Sequence, residues 1–279
     1  MKTLGRLILS LLLVGVTAGH VSAQGDRQAE RPVLSAWTLG LGSSHLADTY
    51  LSPLKYQGWS AAIGYERLQA SRWSPRDWVM QLKIGGDIDR AENPARNAVM
   101  WSAQLHASWG MMRRWNIPSL GIDVGIGPAL RLEGGCIYNR RNSNNPASAK
   151  GAVTVDAAAY VAKSLNILKH KVTLRYQPTL PVIGAFFSPK YDELYYEMYL
   201  GNHSGLVHPA WWGTRFKLDN LVTADISFGG TALRLGYECD WMSSKVSNLT
   251  TRMITHRFVI GVAINWLSVK PSKSSIPAL

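Results

Sequence analysis

From Asn97 to Gly110 the chain alternates apolar and polar residues without a break. Val99, Trp101, Ala103, Leu105, Ala107 and Trp109 occupy the odd positions, and Met100, Ser102, Gln104, His106 and Ser108 the even ones. A period of two over more than ten residues is a long β-strand with one apolar and one polar face. A tryptophan stands towards each end of the apolar face. Aromatics at two interfaces, apolar side chains outward and polar ones inward are what a strand of an outer-membrane barrel requires. After Ala23 no apolar run approaches the roughly 18 residues of a membrane helix, so strands are the remaining way to cross a bilayer.

The same pattern recurs along the chain. Strands are predicted at Leu34–Ser43, Gln57–Leu68, Trp78–Asp87, Asn97–Gly110, Leu120–Glu133, Ala152–Ala162, from Lys171 onward, at Asp192–Leu200, Thr214–Phe228, Ala232–Trp241 and Ile254–Leu267. Pro128 marks an irregularity within its strand. Gly134–Lys150, rich in Asn and Arg, reads as a long loop, and Gly229-Gly230 as a two-residue hairpin. Loops alternate long and short through the seventh strand, as expected when extracellular loops are long and periplasmic turns short. Keeping that parity at Gly229-Gly230 requires one further, indistinct strand near Gly205–Trp212. The expectation is an all-β, antiparallel up-and-down transmembrane barrel of about 12 strands, with 10 or 14 as alternatives. Eleven Trp and eleven Tyr, with only 17% charged residues, agree with it. A soluble β-sandwich or lipocalin-like fold competes, but it would turn its apolar face inward.

The N-terminus combines Lys2 and Arg6, an apolar run from Leu7 to Val16, and Val21-Ser22-Ala23, the pattern of a secretory signal peptide cleaved after Ala23. The expected organisation is signal peptide 1–23, flexible leader 24–33, barrel 34–268 and tail 269–279. Because the chain continues past Trp266, a signal read by the barrel assembly machinery would have to lie within Phe258–Trp266. Net charge is +12, and removing Lys2 and Arg6 leaves +10. That excess reads as Lys and Arg on turns and loops meeting anionic head groups; the alternative is an anion-attracting lumen. The basic residues are dispersed, which argues against nucleic-acid binding. Cys136 and Cys239 are placed in a loop and on an outward register, so a bridge between them is not expected.

Several patches look familiar together: Asp48-Thr49-Tyr50-Leu51-Ser52-Pro53-Leu54 with Tyr56 and Gly58, then Leu194-Tyr195-Tyr196-Glu197, Leu200-Gly201-Asn202, Leu233-Arg234-Leu235-Gly236-Tyr237, and His256 with Phe258-Val259-Ile260-Gly261. In these the chain resembles a Bacteroides-type family of outer-membrane barrels of unknown function. The resemblance implies a fold and a location, and no reaction or catalytic residue.

The candidate site is the lumen. Glu66, Lys83, His106, Asp123, Asp156, Arg175, Glu193, Glu197, Asp225, Arg234, Glu238, Asp240 and His256 are predicted to face it. Charges in a narrow barrel must be paired or hydrated, so they form either a filling salt-bridge network or the lining of a pore. Asp48, Thr49, Tyr50 and Ser52 lie on the first extracellular loop, where Asp and Ser oxygens bind nearby backbone N–H groups. They form either a latch that orders the loop or a ligand contact at the mouth. His106 beside Ser102 and Ser108 invites comparison with a lipid hydrolase, but all three share one lumen-facing strand, so no catalytic residue is assigned. No metal spacing, phosphate loop or nucleophile elbow is present, and no cofactor is expected. The function expected is a non-enzymatic outer-membrane barrel, either a small pore or a structural or interaction component. Its partners would be outer-membrane lipids, the assembly machinery, and an unidentified solute or protein. A lipid-acting enzyme and a secreted ligand-binding β-protein are the alternatives.

Overall fold

A computed structural model describes residues 31–143, 145–167, 170–189, 200–201 and 205–267. The expected leader as far as residue 30, the tail 269–279, and the strand Asp192–Leu200 apart from its last residue lie outside them, as do Glu193 and Glu197; Pro32 and Val33, expected in the leader, already belong to the first strand. Eleven strands are described: β1 (Pro32–Asp48), β2 (Tyr56–Ala70), β3 (Trp78–Glu92), β4 (Val99–Ile117), β5 (Ile122–Asn139), β6 (Ala147–Ile167), β7 (His170–Phe187), β8 (Val207–Ala210), β9 (Arg215–Phe228), β10 (Thr231–Val246) and β11 (Leu249–Leu267). Each pairs antiparallel with its neighbours. β1 closes on β11, and β6 on β7, so ten strands form a ring.

Among the described residues the ring therefore has ten strands, one of the two alternative counts, in place of about 12. The indistinct segment near Gly205–Trp212 is β8, but its four residues span only about 13 Å. That is too short to cross a bilayer, and β8 pairs only with the end of β7, Gly184–Phe187. Parity still holds, because β9 returns from the same end that β7 reached. Gly134–Lys150 is also corrected. Gly134 to Asn139 continue β5 against β4, and Ala147 to Lys150 begin β6. Ladder pairing on both sides outweighs the weak strand propensity of Gly, Ser and Asn there. Pro128 lacks an N–H, and the β4–β5 ladder skips the pairs of Met111 and Met112 beside it without changing register.

The ring has an apolar exterior. Trp37, Leu39, Leu41, Ile63, Leu105, Leu132, Val153, Leu235, Phe258 and Ile260 all point outward, with Leu105 70% and Phe258 77% exposed. Aromatics bound this belt at both ends. Trp37 packs on Tyr65 at 4.8 Å near one rim. Near the other rim Trp59 meets Trp101 edge-on at 6.0 Å, and Phe216 meets Trp241 at 5.3 Å. Trp101 and Trp109 are eight residues apart on β4, about 27 Å along the strand, which matches a hydrocarbon band once tilt is allowed for. The ring strands run from 14 residues in β9 to 21 in β6, so the barrel projects beyond its belt.

Candidate functional site

The interior is layered. Near the rim that carries the strand termini, Leu34, Leu68, Val79, Met112, Ala129, Tyr160 and neighbouring alanines pack into an apolar floor. The Tyr160 ring lies directly over Gly125, where an added Cβ would come within 2.2 Å of it. Near the far rim Leu46, Leu51, Tyr56, Met100, Ile137 and Met253 form an apolar cap. Charged side chains fill the space between.

The lower charged layer centres on Glu66. Its Oε2 accepts from Arg175 at 2.5 Å and from Arg234 at 2.7 Å, and its Oε1 accepts from Gln81 at 2.8 Å. Arg234 is also bidentate on Asp225, at 2.7 Å through Nε and Nη2. Gln81 reaches across to Gln177 at 2.8 Å. Lys83 stands opposite Glu66 in the β2–β3 ladder. In the next layer the Arg131 guanidinium forms ion pairs with Asp156, at 2.6 Å from Nε, and with Asp219 and Glu133. Glu133 further holds Arg215 and Lys217. Above it, Arg257 binds Glu238 and Asp240, each at 3.0 Å, and donates Nε to Ser60 at 2.8 Å. His106 faces the lumen, its ring against Gly85. It lines a cavity of about 60 Å³ with Asp87, Glu133, Lys217 and Thr255.

Most of the predicted lumen residues thus come together, and two do not. His256 points outward, where its Nδ1 pairs with the Tyr237 hydroxyl at 2.7 Å. The inward expectation for it is corrected for a simple reason: position 256 shares parity with the outward Phe258. The side chain that enters the lumen there is Arg257. Asp123 lies at the rim, accepting from Asn116 at 2.9 Å, away from the network. Arg131, Glu133, Arg215, Lys217, Asp219, Asp87 and Asp89 were not singled out from sequence. Their signal was present in the alternation Arg215-Phe216-Lys217-Leu218-Asp219 and in the register of β5.

Among the described residues the basic excess is not concentrated in the interior. The interior cations Lys83, Arg131, Arg175, Arg215, Lys217, Arg234 and Arg257 are outnumbered by Glu66, Asp87, Asp89, Glu133, Asp156, Asp219, Asp225, Glu238 and Asp240. The positive excess lies on the rims, on residues such as Arg72, Arg76, Arg113, Arg96, Arg140 and Arg141.

The first long loop is folded onto the cap. Asp48 Oδ1 accepts the Tyr50 N–H at 3.0 Å, and Oδ2 pairs with Lys150 at 2.7 Å. Thr49 Oγ1 accepts the Thr250 N–H at 2.7 Å. Ser52 Oγ accepts from the Tyr56 hydroxyl at 3.2 Å, and that hydroxyl accepts from Asn139 at 3.2 Å. Leu51, buried, closes the cap. The Asp48–Ser52 residues therefore tie β1, β6 and β11 together at the mouth.

A family model described as "Protein of unknown function (DUF3316)" matches residues 6–273. The chain belongs to this family. No curated protein sequence matches this DUF3316 member. Among solved structures it is similar to the outer membrane protease OmpT from Escherichia coli, with 7% identity over 88% of this chain and 99% of that one at a TM-score of 0.44. It is also similar to the translocator domain of autotransporter NalP from Neisseria meningitidis, with 8% identity, 95% and 98% coverage, and a TM-score of 0.35. A third likeness is to the COG4313 outer membrane channel from Pseudomonas putida F1, with 11% identity, 86% and 100% coverage, and a TM-score of 0.31.

Proposed function

We propose that the chain is a non-enzymatic outer-membrane β-barrel whose lumen is filled, and that it serves as a structural or interaction component of the envelope rather than as an open pore. The observation that carries this reading is the layering of the interior. An apolar floor and an apolar cap enclose paired charges, and the two cavities that Arg215 and Glu133 line among them have volumes of about 60 and 30 Å³. At about 30 Å³ of liquid volume per water, these hold only a few waters. The exterior supports insertion, since β1 closes on β11 and β6 on β7, so that most strand edges are paired within the ring. Its apolar belt is far larger than a water-exposed patch on a monomeric soluble protein. Basic rims suit anionic head groups. The lipid-hydrolase alternative is disfavoured because His106 sits inside the barrel against Gly85, away from the lipid-facing surface where such an enzyme must work.

Reconstitution into planar bilayers tests the reading. The expected result is a urea-resistant, heat-modifiable membrane species with no stepwise conductance. Discrete conductance steps from wild-type protein would refute the filled lumen. Release from membranes by carbonate or urea would refute the membrane barrel.

A further inference from the structure

Three loops meet at the mouth around a cavity of about 440 Å³. They are residues 49–55 between β1 and β2, 93–98 between β3 and β4, and 140–143 after β5. That volume falls within the roughly 300–1,000 Å³ of ordinary ligand pockets. Each loop is fixed by a polar side chain of its own. Ser52 Oγ accepts the Leu54 N–H at 3.3 Å. Asn93 Oδ1 accepts the N–H groups of Asn97 and Ala98 at 3.0 and 3.1 Å, and Asn139 Oδ1 accepts the Arg141 N–H at 3.1 Å. Short Asn and Ser side chains order turns in this way. The loops are also tied to one another. Asn142 Nδ2 donates to the Leu51 carbonyl at 3.3 Å, and Arg141 Nη1 to the Asn97 carbonyl at 3.1 Å. The cavity is therefore preformed, which spares a ligand the cost of ordering it.

The lining sets the chemistry of an occupant. The base is polar and buried, with Tyr56 3%, Asn93 5% and Asn139 2% exposed. The walls carry Leu54, Ala95, Asn97 and Arg141, all exposed. Amides and hydroxyls set among short aliphatic groups match a sugar ring, which presents hydroxyls at its edge and C–H groups on its faces. Charge adds a second requirement. The three loops hold Lys55, Arg96, Arg140 and Arg141, all exposed, and no Asp or Glu. The carboxylates that flank them are already paired, Asp48 with Lys150 and Glu92 with Arg90, each at 2.7 Å. The Arg141 guanidinium has five N–H donors, one of which meets the Asn97 carbonyl, and its planar fork suits an acid group.

We propose that this cavity binds an acidic saccharide, a sugar carrying a phosphate or carboxylate. Its acid group lies on Arg141, and its hydroxyls lie over Asn97 and the Tyr56–Asn93 base. The proposal rests on the interaction role given above and names its ligand class.

The test is calorimetric titration of the full chain, folded in a sugar-free polyoxyethylene detergent, with maltose carrying one phosphate. Saturable binding is expected. Maltose without the phosphate should bind about tenfold more weakly, since only the acid gains a charge-assisted bond. Inorganic phosphate and an aspartate-rich peptide, which lack the sugar, should be weaker as well. Arg141→Gln should lower the affinity for maltose phosphate about tenfold. Ala95→Trp, which fills the cavity from an exposed wall, should abolish binding. Arg76→Gln, at the opposite rim, should leave it unchanged. Folding of every variant is checked by its heat-modifiable gel shift. Equal binding of maltose, of phosphate or of the peptide would overturn the proposal, as would unchanged affinity in either Arg141→Gln or Ala95→Trp. A folded barrel that binds no maltose phosphate in the millimolar range overturns the saccharide site alone, whereas conductance steps from wild-type protein would refute the filled lumen and leave this cavity standing.

Discussion

Neutralising Glu66 is the sharpest perturbation of the filled lumen. Its side chain is 8% exposed, and among the described residues it is the one carboxylate within 4 Å of Arg175, itself 1% exposed. Arg234, by contrast, keeps Asp225 when Glu66 is lost. In Glu66→Gln the cation of Arg175 is therefore left buried without a counter-charge. Removing one partner of a buried pair costs about 3–5 kcal/mol. With an m-value of about 3 kcal/mol/M in urea, the unfolding midpoint in vesicles should fall by about 1–1.7 M. The double variant Glu66→Gln/Arg175→Met removes the stranded charge and should recover most of that loss, giving a coupling energy well above the few tenths of a kcal/mol seen for independent sites. A midpoint shift below about 0.3 M for Glu66→Gln, or a double variant no better than the single, would refute the claim that paired charges hold the interior together.

Three further outcomes are expected. Gly125→Val places a side chain into the Tyr160 ring and should destabilise the floor by about 1–3 kcal/mol, read from the same urea titration. Lys150→Met leaves Asp48 without its ion pair at the mouth, so protease cleavage within residues 49–55 of the vesicle-inserted protein should accelerate while the rest of the barrel stays protected. Cys136 and Cys239 are both free and both face the belt. A charged maleimide should therefore label neither in vesicles, and label both once the barrel is unfolded.

Alternation made the belt legible because each strand has one side in lipid-like surroundings and the other in a polar interior, so period two survives even where propensity is poor. The residues Leu233-Arg234-Leu235 illustrate this, with Arg234 read correctly as lumenal from its neighbours alone. Strand number was harder. It depends on where the chain from Ser188 to Thr214 goes, and no local pattern distinguishes a four-residue strand stacked on β7 from a full crossing. Gly134-Gly135 and Ser148 read as loop because their strand state is imposed by ladders, to β4 and β6 for the glycines and to β5 for Ser148. The ion-pair assignments were out of reach for a different reason. Arg131 and Asp219 are 88 residues apart, and Arg234 and Glu66 are 168 apart. Which charges meet across a lumen depends on strand order and stagger, which single-strand periodicity does not contain.

That long-range pairing also explains how β9 is held beyond the point where its ladder to β7 ends. Ten strands enclose more space than the eight-stranded barrels that short side chains fill, and here long side chains bridge it. Arg234 on β10 reaches Glu66 on β2, Gln81 on β3 reaches Gln177 on β7, and Lys150 on β6 reaches Asp48 on β1. β9 is the extreme case. In its upper half Arg215, Lys217 and Asp219 are all held by Glu133 or Arg131 on β5, across the lumen, at the level where hydrogen bonding to the adjacent β7 ceases. Ties across the barrel can hold a strand in place without a neighbour beside it. The interactions that fix the upper half of β9 therefore run through the interior to β5 as well as along β10.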